Sequence, residues 1–225
     1  EQLVRAAGFA CWPLALGPLM AVPSVSFGAG MFLLGAWVVA THEALASAAA
    51  VGAVLGSAAG MLLAAIVGID RTSVVVPEAS REPLALLACG LPAAFMVAVL
   101  GTGLLASRGG DTLRWAALVT SIGLAMSTAG AMHGARGAAL ATVAAQVIGA
   151  LIFLGAMPKR TAALNRTVIL GGATTCGALG AYGLGGSYAA SVLMAISVLA
   201  LGSTLWARRR ARIKILARPL GGTRG

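Results

Sequence analysis

The sequence predicts an all-α fold, a polytopic transmembrane helical bundle of about seven spans, six to eight, joined by short connections. Three observations predict it. First, 59% of the 225 residues are hydrophobic and 10% charged, with a mean hydropathy of +0.95, against about 45–50% apolar and about 25% charged in soluble domains. Second, several apolar stretches reach the roughly 17–25 residues that a helix needs to cross a hydrocarbon core of about 30 Å. Third, these stretches are continuously Ala-, Leu- and Gly-rich, without the ~10-residue alternation of a membrane barrel. Helices satisfy their own backbone in lipid, and no soluble domain is left over.

The spans read in order as 6–39, 44–68, 84–106, 113–132, 137–157, 167–184 and 187–207. The first is too long for one straight helix and contains Pro13, Pro18 and Pro23, each of which removes a backbone donor and clashes with the preceding turn. One kinked, tilted helix is expected, two short ones broken near Pro23 and Ser24 being the alternative. The joints at 40–44, 107–112, 132–137 and 184–187 are short, and only 69–83 is longer, which makes consecutive helices antiparallel neighbours. Within 132–137, Gly134 and Gly137 allow a tight turn at the membrane surface, and Arg136 can reach the headgroups.

Residues 1–207 form the bundle and 208–225 a basic cytoplasmic tail. The formal charge is +10, and Arg208, Arg209, Arg210, Arg212, Lys214, Arg218 and Arg224 all follow the last apolar run. Such a cluster is held on the inner side of the membrane and touches anionic lipid. Lys159, Arg160 and Arg166 place 157–166 on the same side, and 132–137 outside. Seven spans put the N-terminus outside, eight put it inside. The expected location is the cytoplasmic membrane, multi-pass, with the C-terminus cytoplasmic. Nucleic acid is excluded as a partner, since no basic residue belongs to a soluble recognition fold. Cys11, Cys89 and Cys176 lack metal or redox spacing and read as small buried hydrophobes. The chain opens on Glu1-Gln2 without a basic n-region or cleavage site, which reads as the interior of a longer frame instead of a secretory leader.

Small residues recur every four positions. In the second span the row is Ala44, Ala48, Gly52, Gly56, Gly60, Ala64 and Gly68; in the third, Gly90, Ala94, Ala98, Thr102 and Ala106; in the fifth, Gly137, Ala141, Ala145 and Gly149. Lipid gives helices no hydrophobic reason to associate, so they meet where small side chains let backbones approach. Gly52, Gly56, Gly60, Gly137, Ala141, Ala145 and Gly149 are the expected helix-packing positions. The row drifts around its helix, so three or four members at most face one neighbour.

Residues 106–154 resemble the polysaccharide and lipid-linked oligosaccharide flippases of the multidrug/oligosaccharidyl-lipid/polysaccharide exporter superfamily. Gly134, Gly137, Ala138, Ala139, Leu140, Ala141 and Thr142 carry the resemblance, with Arg114 after the preceding turn. Residues 32–52 look like the first hairpin of a family lobe. The chain departs from the family in having Ile122, Met126 and Ala131 where Asn and Pro are usual, and in having no N-terminal six-helix lobe. The resemblance implies the C-terminal portion of a flippase, as a fragment or a degenerate copy. It also implies a lipid-linked saccharide as substrate, and a partner lobe or membrane subunit.

Ionisable groups inside spans are functional candidates by default, and the spans hold almost none. Gln146 in the fifth span is an interhelical hydrogen bonder or lines a cavity. Together with Arg136 and Arg114 it makes the expected substrate contact set. Asp111 and Arg114 read as a helix start and an inner-face anchor. His42 and Glu43 have no further ligand at metal spacing, so no metal or other cofactor is expected. With no convergent acid, base or nucleophile, the chain is not expected to be an enzyme. Two functions remain: a flippase-like transporter, and an accessory subunit that packs on a partner through its small-residue faces.

Overall fold

The computed structural model describes residues 23–42, 44–69, 76–108, 111–158 and 160–216. Six helices make up these residues: α1 Pro23–Thr41, α2 Leu45–Ile69, α3 Glu78–Arg108, α4 Asp111–Ala131, α5 Gly134–Ala156 and α6 Ala162–Leu216. Among the described residues there is no strand. The described part of the first expected span is α1; residues 6–22 of that span lie outside the described residues.

Four helical stretches are long and apolar enough to cross a membrane, Leu45–Ile69, Glu78–Ser107, Gly134–Ala156 and Ala162–Ser203. That is fewer than the seven anticipated, and two of the differences have a physical reason. Ala162–Ser203 runs through two expected spans, since α6 breaks at Gly185 and Gly186 into halves 162–184 and 187–216. Gly186 has φ +67° and ψ −161°, a region that only glycine occupies without strain. The first expected span is described only in part, its apolar helix being Gly30–Thr41. In α4, Asp111, Arg114, Thr120, Ser121, Ser127 and Thr128 dilute the apolar residues.

Helix α3 is central and touches α1, α2, α4, α5 and α6; the most extensive pairings are α2 with α6, α2 with α3, α4 with α5, and α3 with α5. The rows of small residues explain the first three. Beta-carbons added at Gly52 and Gly56 would run into Val99 and into the Leu91–Pro92 backbone of α3. From Gly60 onward the drift of the row brings in α6 as well. Gly60 lies against the Ala88 carbonyl and Met194, and Gly68 near Ser187 and Tyr188. Pro92 sits inside α3 and lacks the N–H that would bond the carbonyl four residues back, which is Ala88. The freed oxygen is the one that faces Gly60.

On the other side, α5 crosses α4 where Gly137 meets the Gly130 backbone, and Ala141 also lies against Gly130. Ala145 is buried, and Gly149 fits between Val119 of α4 and Val97 of α3. The turn ahead of α5 needs its first glycine, since Gly134 has φ +77°. The main core cluster joins α1, α2, α3, α5 and α6 around Val38, Ala53, Met96, Leu100, Phe153 and Leu164.

Several hydroxyls inside the helices bond back to their own turns: Ser57 donates to the Ala53 carbonyl, Thr102 to Ala98 and Thr174 to Leu170. This removes a bare polar group from lipid. The buried Thr175 hydroxyl has no partner. Cys89 is buried, whereas Cys176 is exposed, contrary to the reading of the cysteines as uniformly buried. Cys176 follows the fully buried Thr175, one step of about 100° around α6, and so turns off the face that meets α2 and α3. The last helix continues beyond 207 through Leu216, carrying the first part of the basic tail on helix. Arg and Lys are good helix formers and suit a helix C-terminus.

Candidate functional site

The up-down order sets two ends of the bundle. One holds the helix ends Thr41, Leu45, Arg108, Asp111, Ala156 and Ala162 together with Arg210, and is called here the arginine-rich end. The opposite end holds Ile69, Glu78, Ala131, Gly134 and the break at Gly185–Gly186.

A groove of about 580 Å³ lies between α1, α3, α4 and α5. Met31 and Phe32 line it from α1, and Ala94, Val97, Ala98, Gly101, Thr102 and Leu105 from α3. From α4 come Thr112, Leu113, Ala116 and Thr120, and from α5 Gln146 and Phe153. Small residues of α3 make the space: where Ala98 and Gly101 stand, larger side chains would fill it. The groove begins near the middle of the helices, at Ala94, Thr120 and Gln146, and ends at the start of α4, where the Thr112 hydroxyl donates to the Leu104 carbonyl at 3.1 Å and pins α3 and α4 together.

The three expected substrate contacts are not gathered in one place. Arg114 is on the first turn of α4, at the arginine-rich end, exposed beside Asp111, Trp115 and Leu118. Gln146 is at the inner limit of the groove, its amide oxygen turned toward Gly90 of α3. Arg136 is on the first turn of α5 at the opposite end, where its Nε lies 3.2 Å from the Glu82 carboxylate. Ten residues of α5 separate Arg136 from Gln146, about 15 Å at 1.5 Å per residue. Arg114 is farther still, close to a bilayer thickness from Arg136. The three mark points along the α4–α5 hairpin, and a single headgroup cannot meet both arginines.

Sequence reasoning missed the Glu82–Arg136 pair. The partners are 54 positions apart in sequence, and the only clue was that both 69–83 and 132–137 fall on the same side of the membrane. Tyr182 of α6 lies within electrostatic reach of both, and packs against the neighbouring clusters around Ala64, Cys89 and Val67. The groove's threonines were also missed as a set, because Thr102, Thr112 and Thr120 come from two helices and no spacing connects them. Ser127 of α4 and Thr142 of α5 share a hydrogen bond at 3.1 Å, which ties the two helices together.

The arginine-rich end carries membrane-interface features. Arg210 stacks on Trp206 with its guanidinium carbon 3.5 Å from the ring centroid, an amphipathic pair suited to headgroup depth. Arg160 donates to the Gly155 carbonyl and closes the last turn of α5. Thr161 accepts from the Leu164 N–H at 3.1 Å and caps α6. At the end of α1, the His42 ring nitrogen lies 2.8 Å from the Val38 carbonyl, so it serves the helix terminus.

The fold defines a class: an α-helical protein embedded in a membrane, built of closely packed antiparallel helices with one apolar groove at its side. No protein-family model, no curated protein and no solved structure matches the chain.

Proposed function

We propose that this chain is a transport lobe of the cytoplasmic membrane, flippase-like, that moves a lipid-linked saccharide or a related amphiphile together with a partner lobe. One observation carries the reading: the apolar groove that runs from Gln146 at mid-membrane to the α3–α4 turn. A path for an amphiphile needs an apolar track for its chain and polar groups spaced across the membrane for its head. Arg114, Gln146 and Arg136 supply three such groups along one hairpin. In this reading Arg136 accepts a pyrophosphate by exchanging Glu82 for it, and the likeness of residues 106–154 to the flippase family supports the assignment. The helices cross seven times, with α6 counted as two crossings and the first span as one. The arginine-rich end and the C-terminus then face the cytoplasm, as basic connections require.

The test is reconstituted flipping by the protein. Arg114→Gln and Gln146→Ala are each expected to slow transfer of a fluorescent lipid-linked saccharide, with helicity unchanged. Unaltered transfer in both variants sinks the assignment. Accessibility of single cysteines placed after Leu216 checks the orientation, and labelling from the outer side overturns it.

A second reading, an accessory subunit that transports nothing, is favoured by the exposed face of α4. Arg114, Ala117, Ser121, Ala125 and Thr128 are exposed there. Small and hydroxyl residues suit a helix partner better than lipid. Absence of flipping together with a co-purifying membrane subunit selects this reading.

A further inference from the structure

Residues 6–22 precede α1, and their length, composition and point of attachment bear on the groove. They hold no charged, amide or hydroxyl side chain. A segment without a polar face has no reason to lie along the headgroups, so it belongs in the hydrocarbon. It joins the bundle at Pro23, the first residue of α1.

One contact sets the level of Pro23. Gly35 of α1 lies against the Ala98 backbone of α3, and both helices run toward the arginine-rich end. Counted back equally along each, Pro23 comes level with Leu86, about 6 Å short of Glu82 at the opposite end. Continued straight at helical rise, residues 6–22 would run on for about 25 Å and leave the bilayer, with Phe9 and Trp12 in water. A turn at Pro23 returns them to lipid instead. It also brings Arg5 to the arginine-rich end, the side on which basic residues collect.

Burial on α1 points to the place they take. Among the described helices only α3 and α2 come near α1. Gly35 faces α3, and Val38, about 60° to one side of it, joins the main cluster with Ala48 and Ala49 of α2. On the other side come Phe32 of the groove at about 60°, Ala36 at about 100° and Leu33 at about 160°. Ala36 and Leu33 are nonetheless buried, with 3% and 6% of their surface exposed, and neither belongs to a described core cluster. Another part of this chain covers them from the groove's side of α1, and the long apolar segment attached there is 6–22.

We propose that residues 6–22 turn back at Pro23 and fill the groove, a built-in occupant that an amphiphile must displace before it enters. A short connection makes consecutive segments antiparallel neighbours, and the groove is the concavity beside α1. Its lining asks for apolar side chains, since Thr102 and Thr112 already donate to carbonyls and open walls forfeit dispersion contacts. The first expected span then makes two passes, and the count of seven crossings becomes eight. The occupancy does not depend on transport; only the displacement rests on that reading.

The experiment uses the full chain with Cys176→Ser, in vesicles dilute enough to hold single chains. Cys11 stands as far before Pro23 as Gly35 stands after it, so on the returning arm it is level with Ala98. Ala98 is level with the part of α4 between Ala116 and Thr120, since Thr112 meets Leu104. Under mild oxidation Ala116→Cys and Thr120→Cys are expected to link to Cys11, the linked peptides being found by mass spectrometry. Leu118→Cys, at the same level on the far side of α4, should link about tenfold more slowly. Gln2→Cys should react with an impermeant maleimide from the same side as a cysteine placed after Leu216, a test of the turn that needs no change in α4. No link at either groove position, equal linking at Leu118→Cys, or reaction of Gln2→Cys from the opposite side overturns the proposal. Flipping is expected to stop on linking and to resume on reduction. A protein that links and flips unchanged overturns the displacement, and one that links but flips in neither state upholds the occupancy and fails the transport reading.

Discussion

The block formed by α2, α3 and α6 and the hairpin formed by α4 and α5 are built from similar residues and packed in different ways. In α2 the buried residues are Ala48, Ala49, Ala50, Gly52, Ala53, Gly56, Ser57, Gly60, Ala64 and Val67, so that nearly everything it buries is small and it meets α3 and α6 over more than half its circumference. In α4 only Thr112 is buried. The hairpin is held to the rest through α5, whose Ala139, Val143, Ala145, Gly149 and Phe153 are buried. The comparison teaches that small residues alone do not decide burial in this fold. A row of glycines becomes a core when helices stand on two sides of it, and half an interface when a helix stands on one.

That contrast can be broken by overfilling each contact in turn. Gly56→Leu should cost the most, about 3 kcal/mol or more, because its side chain would meet the Leu91–Pro92 backbone, which cannot move aside as a side chain can. Detergent-titration unfolding of the whole protein measures it, and a loss below about 1 kcal/mol would mean that α2 and α3 are not in backbone contact. Gly137→Leu should cost less, about 1–3 kcal/mol, and act locally: the Gly130 backbone must yield, yet α4 can swing outward. Hydrogen exchange should therefore rise in α4 and α5 and stay unchanged in α2. An equal rise in both regions would make the hairpin as integral as the block.

Smaller effects sharpen the picture. Ser127→Ala removes the bond to Thr142 and should cost about 0.6 kcal/mol, the average for an interhelical hydrogen bond in a membrane bundle. Thr142 also donates to the Ala138 carbonyl, so it is not left bare. Glu82→Gln breaks the tie between Arg136 and α3, and with both side chains largely exposed the cost should be at most about 0.2–1 kcal/mol. Its signature is salt dependence: raising ionic strength should narrow the gap between wild type and variant. A gap that ignores salt would show that Glu82 acts through packing.

Much of this was legible in the sequence because the physics is local. The joint at 132–137 announced itself by Gly134, whose positive φ the structure requires, and the joint at 184–187 by Gly185 and Gly186. The four-residue rows marked where backbones approach. What the rows could not specify was the partner. Nothing in Gly60 distinguishes Ala88 from Met194, and it touches both. The groove was illegible for the same reason, since Met31, Gly101, Thr120 and Gln146 are ordinary residues until four connections bring them together. Arg136, taken from the sequence as a free interfacial cation, is found paired with Glu82.

By itself the sequence determined that these helices belong in lipid and where several of them turn, because backbone satisfaction in a medium without water depends only on continuous apolar length and on glycines at the turns. Only the tertiary structure decided which rows became core, which arginine found a carboxylate and where an apolar groove opened between α1, α3, α4 and α5. Those outcomes depend on which helices become neighbours, and a spacing of four residues sets a contact line without choosing what lies across it.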